Sequence, residues 1–208
     1  MAKIIIIGGG FGGLSFLQKA RKSKNDFILI DKTNHHLFQP LLYQVATAVL
    51  SPADITVPLR NLFKNDKNVK TILSEVKEIN KEKKEITLDN AEVISYDKLI
   101  ISAGSSYSFF GKNEWSKFAK GLKVINDALD IREKILKAFE KAENEKDERI
   151  RKKYLNFVIV GGGPTGVELA GSIAEIAYKN MTKEFRNFSS TDANIYLLEA
   201  GDRILPSY

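Results

Sequence analysis

The sequence contains no cysteine among its 208 residues. This absence excludes disulfide bonds, thiolate metal sites and any redox relay that runs through a thiol. The sequence also lacks an apolar run near the roughly 18 residues that span a bilayer, and no signal-peptide pattern follows Met1. Together these absences predict a cytoplasmic chain without covalent cross-links.

Charge of one sign does not dominate the sequence. Lysine and arginine number 32 against 26 acidic residues, which leaves a net charge of +6. A basic excess can indicate nucleic acid or anionic lipid as a partner. Here the lysines are spread among acidic residues, as on a solvated mixed surface, so no nucleic-acid partner is predicted. The length allows one large domain or two of about 100 residues each.

Two glycine-rich stretches, Gly8–Gly13 and Gly161–Gly166, are the main motifs of the sequence. Both read G-x-G-x-x-G, each follows an apolar run (4–7 and 157–160), and each leads into apolar residues at helical spacing. In a dinucleotide-binding unit the first glycine permits the tight turn and the second lets the backbone approach a pyrophosphate. The third lets the helix pack close to the strand. A single match also fits a strand–helix turn that binds nothing.

An acidic residue ends the strand that follows each glycine stretch. Asp31 lies 18 residues after the third glycine of the first stretch, and Glu199 ends the predicted strand 194–198 after a longer connection. A carboxylate at this position accepts hydrogen bonds from ribose hydroxyls. Glu199 would repel a 2′-phosphate and so favours NADH over NADPH, an inference that nearby Arg203 weakens. Two such βαβ units predict a Rossmann-like α/β fold with at least one dinucleotide site.

The stretch 34–47 is uncharged apart from the only two histidines of the chain, His35 and His36. Adjacent histidines point in different directions, and no third ligand follows at a recognisable spacing, so no metal site is predicted. Two interpretations stay open for this stretch. It either packs as a loop with polar tips or lines a cofactor cleft.

The middle of the chain predicts a small β meander inserted in the first unit, with strands in 69–79 and 85–88. A further apolar strand ends at 101 and is followed by small residues, which either make a simple turn or let a large ligand lie against the backbone. Residues 127–153 predict a charged surface helix. Its narrow, mainly apolar stripe consists of Leu129, Arg132, Ile135, Leu136 and Phe139.

The sequence resembles the N-terminal portion of a type II NADH dehydrogenase, a single-subunit NADH:quinone oxidoreductase with two dinucleotide-binding domains. The resemblance runs over essentially the whole chain and rests on 7–14, 34–46 and 160–170, of which the second stretch is the most specific. It implies an FAD-binding domain over 1–110 and an incomplete NADH-binding domain over 111–208.

The resemblance also implies site residues and a reaction. NADH would pass a hydride to the flavin of FAD, and a quinone would then take the electrons. Glu168 matches a glutamate near the nicotinamide–flavin face and is the expected catalytic residue; a purely structural role, with its carboxylate stabilised by the first turn of a helix, is the other interpretation. The expected FAD-binding residues are Gly8, Gly10, Phe11, Gly12, Gly13, Asp31, Lys32, His35, Thr47, Val76, Ala103 and Gly104. The expected NADH-binding residues are Gly161, Gly163, Pro164, Thr165, Gly166 and Glu199.

Partners follow from the same resemblance. A quinone is the expected substrate, and a homodimer and peripheral contact with the inner face of the cell membrane are expected of the family. Related disulfide reductases use a cysteine pair beside the flavin, which these residues lack. The family extends well beyond 208 residues, with a membrane anchor and further flavin contacts. The alternative function is therefore a nucleotide-binding module that binds FAD or NADH without turnover.

Overall fold

The computed structural model describes residues 1–206 and divides the chain into two compact units. The first unit comprises Met1–Leu37 and Thr56–Ser106, and the second comprises Phe38–Ile55 and the chain from Tyr107 onward. The sequence-based division at 110/111 placed 38–55 in the first domain. In the structure this segment belongs to the second unit, because its helix Leu42–Ala46 packs against two helices of that unit.

The regular elements of residues 1–206 are numbered in chain order. The strands are β1 (Lys3–Ile7), β2 (Asp26–Asp31), β3 (His35–Leu37), β4 (Thr56–Pro58), β5 (Val69–Leu73), β6 (Val76–Asn80), β7 (Glu85–Leu88), β8 (Val93–Ser95), β9 (Lys98–Ile101), β10 (Asn156–Val160) and β11 (Asn194–Leu198). The α-helices are α1 (Phe11–Ala20), α2 (Leu42–Ala46), α3 (Leu59–Leu62), α4 (Ile125–Asn144), α5 (Glu148–Tyr154) and α6 (Pro164–Glu175). A π-helical turn, Ile176–Asn180, continues α6, and short 3₁₀ turns include Asn113–Lys117.

A parallel sheet in the order β5-β2-β1-β9 forms the centre of the first unit. This is the 3-2-1-4 order of a dinucleotide-binding half. The isoleucines of β1 are buried on both faces of the sheet. Ile4 and Ile6 pack with Leu14 and Leu17 of α1, while Ile5 packs on the opposite face with Ile86. A run of β-branched residues is what a central parallel strand needs.

The opposite face of this sheet is covered by the antiparallel meander β6-β7-β8. The predicted first βαβ unit is confirmed, and so is the presence of a meander. Its predicted strand region 69–79 is corrected, because Val69–Leu73 forms β5 of the parallel sheet, and β8 was not predicted. The ribbon β3–β4 was not predicted. It pairs His36 with Val57, a partner far along the chain, so no local pattern indicates it.

The second unit is built on the parallel pair β10–β11, the helix α6 between them, and α4. The rings of Phe139 and Phe157 lie 5.3 Å apart, centroid to centroid, and those of Phe139 and Phe185 lie 5.9 Å apart. One face of this two-stranded sheet is exposed. Its side chains are Val158, Val160, Tyr196 and Leu198, which are between 49% and 74% accessible.

The prediction of one helix over 127–153 was wrong in two respects. The chain forms α4 and then a separate α5, which begins where the Asp147 carboxylate accepts a hydrogen bond from the Arg149 amide. The buried face of α4 consists of Ala128, Ile135, Phe139 and Ala142, whereas Leu129 is 39% exposed. Within residues 1–206, no helix is long and apolar enough to cross a membrane.

Candidate dinucleotide sites

The first glycine loop turns from β1 into α1. Gly8 has φ +102°, a backbone conformation that favours glycine. A Cβ at Gly13 would overlap the carbonyl oxygen of Gly8, so the third glycine lets the helix approach the strand. By contrast, a Cβ at Gly10, chain neighbours aside, would meet no atom of the described residues within 4 Å. The loop is therefore closed where it packs on itself and open where a ligand would approach.

The second loop repeats this geometry between β10 and α6. Gly161 has φ +111°, and a Cβ at Gly166 would overlap the Gly161 carbonyl oxygen. A Cβ at Gly163, chain neighbours aside, would meet no atom of residues 1–206 within 4 Å. In both units, therefore, the first glycine makes the turn, the second leaves space for a ligand, and the third lets the helix pack against the loop.

Each predicted acid holds its own glycine loop. The Asp31 Oδ2 atom accepts a hydrogen bond from the Gly9 amide at 2.5 Å, and Glu199 Oε2 accepts one from the Gly162 amide at 2.6 Å. Asp31 Oδ1 also accepts from the amide and hydroxyl of Thr33, at 2.6 and 2.7 Å. The acids thus fix the loops to the ends of β2 and β11.

The carboxylate of Glu199 is held in its charged form. Hydrogen bonds from the backbone amides of Gly201 and then Gly162 lower the pKa of Glu199 below its usual range. The guanidinium of Arg203 donates to the Pro206 carbonyl at 3.0 Å. A negative charge therefore lies at the end of β11 at neutral pH.

Both helices start without a side-chain cap and without an acidic residue in the first turn. In the first intrahelical hydrogen bond of α1, the Leu14 amide donates to the Gly10 carbonyl at 3.0 Å. In that of α6, the Val167 amide donates to the Gly163 carbonyl at 3.1 Å. Amides before that first bond have no intrahelical acceptor, and they carry the positive end of the helix dipole. This arrangement suits the phosphate groups of a dinucleotide, so the residues present fit both FAD and NADH.

Two residues that contact the first loop were not predicted. The Ser102 hydroxyl, at the end of β9, lies 2.8 Å from the Ile7 carbonyl oxygen and 3.1 Å from that of Gly8. His36 Nδ1 lies 3.1 Å from the Gly9 carbonyl oxygen, and its ring packs edge-on against Phe11. His35, the histidine that was predicted to contact FAD, pairs through its Nδ1 atom with the side chain of Asn34 instead. Alternation along β3 separates the two histidines.

The other predicted FAD contacts lie in different surroundings. Lys32 is exposed, as are Ala103 and Gly104, which follow β9. Val76 begins β6 and its side chain packs under the central sheet. Thr47 is buried in the second unit and its hydroxyl donates to the Tyr43 carbonyl at 2.9 Å. Their roles toward a flavin stay predictions.

Glu168 lies beyond the position expected for it. It is exposed and is the fifth residue of α6, so the prediction that placed it in the first turn was wrong. Pro164 and Thr165 occupy that turn, and both are exposed. The helix dipole stabilises negative charge only within the first turn, so it contributes little to stabilising the Glu168 carboxylate. Among residues 1–206, no group of three or more His, Asp or Glu side chains could hold a metal ion.

Comparison with known proteins identifies relatives that match nearly the whole chain. The family model for pyridine nucleotide-disulphide oxidoreductases matches residues 2–208. The chain is 44% identical over 207 residues to the type II NADH:quinone oxidoreductase NdhA of Mycobacterium tuberculosis, covering 98% of this chain and 44% of that protein. It is 32% identical to an external alternative NADH-ubiquinone oxidoreductase of Yarrowia lipolytica, covering 99% of this chain and 37% of that protein.

Solved structures agree with these sequence relatives. The structure of NDH2 from Plasmodium falciparum in complex with NADH superposes with a TM-score of 0.90 at 33% identity, over 100% of this chain and 43% of that one. The chain thus spans less than half the length of these relatives. The predicted resemblance to a type II NADH dehydrogenase and the predicted Rossmann-like fold are both confirmed. The chain belongs to the pyridine nucleotide-disulphide oxidoreductase family.

Proposed function

We propose that this chain contributes the FAD site and part of the NADH site of an NADH:quinone oxidoreductase. The observation that carries the proposal is the duplicated loop geometry, in which two open glycine positions, Gly10 and Gly163, each lie at the start of a helix. The names of the relatives support the reaction, because they are NADH:quinone and NADH-ubiquinone oxidoreductases.

The first loop is assigned to FAD. The amides at the start of α1 would bind the pyrophosphate beside Gly10, and Asp31 would accept from the ribose. An ionised carboxylate has about four lone-pair sites, and Asp31 already uses three of them, for Gly9 and twice for Thr33. It therefore has room for one ribose hydroxyl. When bound, FAD would accept a hydride and release the electrons to a quinone.

The second loop is assigned to NADH. Glu199 uses two sites, for the amides of Gly162 and Gly201, and can accept from both ribose hydroxyls. Its negative charge would oppose the 2′-phosphate of NADPH. Glu168 remains the proposed catalytic residue near the nicotinamide, by family resemblance, and its exposure leaves it accessible.

The expected membrane contact, location at the inner face of the cell membrane, and homodimer are also proposals. A second candidate function is nucleotide binding without turnover. It is favoured by the exposed face of the pair β10–β11, since parallel sheets are ordinarily covered on both faces. The nucleotide site on that pair would then be less firmly held than the first.

One pair of measurements separates the two functions. The purified chain, supplied with FAD, is expected to retain a yellow flavin spectrum and to reduce a soluble quinone when NADH is added. Bound FAD or NADH without quinone reduction would select the binding module. Failure to bind either nucleotide by a correctly folded chain would contradict both.

A further inference from the structure

The carbonyl oxygen of Gly9 is held by a side chain that does not belong to the dinucleotide fingerprint of glycines and acid. His36 Nδ1 lies 3.1 Å from this oxygen. Because a carbonyl oxygen only accepts, Nδ1 carries a proton and donates it. The amide of Gly9 in turn donates to Asp31 at 2.5 Å. Both polar groups of the Gly9 backbone are therefore fixed by residues outside the loop.

A third side of Gly9 is closed by an apolar side chain. A Cβ at Gly9 would lie 2.6 Å from the side chain of Leu59, which is fully buried at the start of α3. His36 lies on β3, and Leu59 follows β4, where its amide donates to the Asn34 carbonyl at 3.0 Å. The His36 ring also packs edge-on against Phe11, with 5.0 Å between the ring centroids. One ordered segment thus encloses the middle of the loop.

The second glycine loop has the same enclosure, made from different groups. The Gly162 amide donates to Glu199 at 2.6 Å, and the Gly162 carbonyl accepts from the Leu205 amide at 2.7 Å. A Cβ at Gly162 would lie 2.9 Å from the Ile204 side chain. In each unit, a segment that follows the strand-end acid holds the carbonyl of this glycine. An imidazole does so in one loop and a backbone amide in the other, so the common feature is the fixed carbonyl.

A fixed Gly9 carbonyl also fixes the Gly10 amide. The two groups belong to one planar trans peptide unit, in which the C=O and N–H bonds point in opposite directions. This unit lies between two glycines, whose backbone rotates with little steric hindrance, so the loop alone does not determine its orientation. The Gly10 N–H is thus turned away from His36. At Gly10 a Cβ, chain neighbours aside, would meet no atom of residues 1–206 within 4 Å.

We propose that His36 is a positioning residue for FAD, which aims the Gly10 amide at the pyrophosphate by holding the Gly9 carbonyl. The inference rests on the proposed assignment of FAD to the first loop. It adds that the N–H of the imidazole, and not the bulk of its ring, sets the affinity for the phosphates. Because the amide is aligned before the ligand arrives, binding does not have to order it.

Two substitutions separate the donor from the ring. His36→Phe keeps an aromatic ring beside Phe11 but has no N–H, whereas His36→Asn gives up the ring and can place an amide N–H near the position of Nδ1. In calorimetric titrations, His36→Phe should bind FAD at least about tenfold more weakly than the wild type, as expected for the loss of one hydrogen bond. His36→Asn should stay within about threefold of the wild type, because it retains a donor.

The second loop is the internal control. Its carbonyl is held by the Leu205 backbone, so both variants should bind NADH as tightly as the wild type. The amide proton of Gly10 gives a direct readout by NMR. Saturating FAD should move this resonance downfield in the wild type and in His36→Asn, through a hydrogen bond to phosphate, and much less in His36→Phe. If His36 only stabilised the fold, the shift at saturation would be the same in all three proteins.

The inference is supported if His36→Phe loses FAD affinity and the Gly10 shift but keeps NADH binding, and if His36→Asn recovers both. It is overturned if a folded His36→Phe protein binds FAD like the wild type, if the two variants weaken FAD binding equally, or if NADH binding falls in parallel. Should His36→Phe fail to fold, His36→Leu takes its place in the comparison. A wild-type chain that binds no FAD would overturn the FAD assignment itself and this inference with it, whereas the other outcomes leave that assignment intact.

Discussion

Gly13 and Gly171 both lie in helices, yet a side chain has opposite consequences at the two positions. A Cβ at Gly13 would overlap the Gly8 carbonyl oxygen, whereas one at Gly171, outside its own helix backbone, would meet no atom within 4 Å in the part of the chain that the structure describes. Alanine favours a helix over glycine by up to about 1 kcal/mol, so Gly171→Ala should raise the free energy of unfolding by about that amount. Gly13→Ala should lower it by about 1–3 kcal/mol, because loop and helix must separate.

Urea denaturation measures both changes on the same scale. Gly166→Ala should behave like Gly13→Ala, since its Cβ would overlap the Gly161 carbonyl oxygen in the same way. Stabilisation by all three substitutions would mean that the two loops are not as tightly closed as described.

The Glu199 carboxylate should contribute stability that depends on pH. Its pKa in the folded chain lies below the usual value, owing to the amides of Gly201 and Gly162. A lowered pKa means that the contribution is present above the unfolded-state pKa and is lost as the pH falls through the folded-state pKa. The difference in unfolding free energy between the wild type and Glu199→Gln should therefore be larger at neutral pH than in acid below the usual range of glutamate. A difference that does not change with pH would contradict this assignment.

The same residue should decide between the two nicotinamide cofactors. If Glu199 faces the adenosine ribose, the wild-type chain should bind NADH more tightly than NADPH. Glu199→Gln should narrow that preference by roughly fivefold, which corresponds to one charge pair at about 4 Å in water. Calorimetric titration of both cofactors into both proteins measures the preference. Equal affinities for the wild type would contradict the proposed orientation.

At the scale of elements, α4 is anchored by one ring. Phe139 is fully buried between Phe157 and Phe185, whereas Leu129 on the same helix is 39% exposed. Phe139→Ala should lower the free energy of unfolding by about 3–5 kcal/mol, because it leaves a cavity in the core. Leu129→Ala should cost well under half as much. If the two substitutions lowered the free energy of unfolding by similar amounts, Leu129 would belong to the packed face of α4, as the sequence predicted.

The βαβ units could be predicted because their evidence is local. The strand, the glycines, the helix and the acid lie within a short stretch of chain, and each residue type has a separate physical reason. The roles of Gly8 and Gly161 in the turns, and the positions of Asp31 and Glu199 at strand ends, follow from that pattern.

What could not be predicted depends on distant partners or on small residues. Ser102 reaches the first loop from 94 residues away, and His36 is aligned by its pairing with Val57. In α4 the buried face includes Ala128 and Ala142, which are too small to mark a hydrophobic stripe in the sequence. The break before α5 depends on the single cap at Asp147.

At the scale of the whole molecule, the chain holds two units that share one loop geometry and differ in how their sheets are covered. The first unit has a four-stranded sheet with both faces covered, while the second has a two-stranded sheet with one face exposed. The units should therefore differ in stability, with the second unfolding at a lower denaturant concentration. Hydrogen exchange, resolved by peptide, would show slower exchange in β1 than in β10; the reverse order would contradict the difference.

The central claim is that the two loops bind two different dinucleotides. Gly10→Val and Gly163→Val test it most directly, because a Cβ at either position, chain neighbours aside, would meet no atom of residues 1–206 within 4 Å, and each position lies where a ligand would approach. The measurement is calorimetric binding of FAD and of NADH to the wild type and to each variant. Gly10→Val should lose FAD binding and keep NADH binding, and Gly163→Val should do the reverse. Loss of both nucleotides in either folded variant, or of neither nucleotide in both variants, would contradict the account.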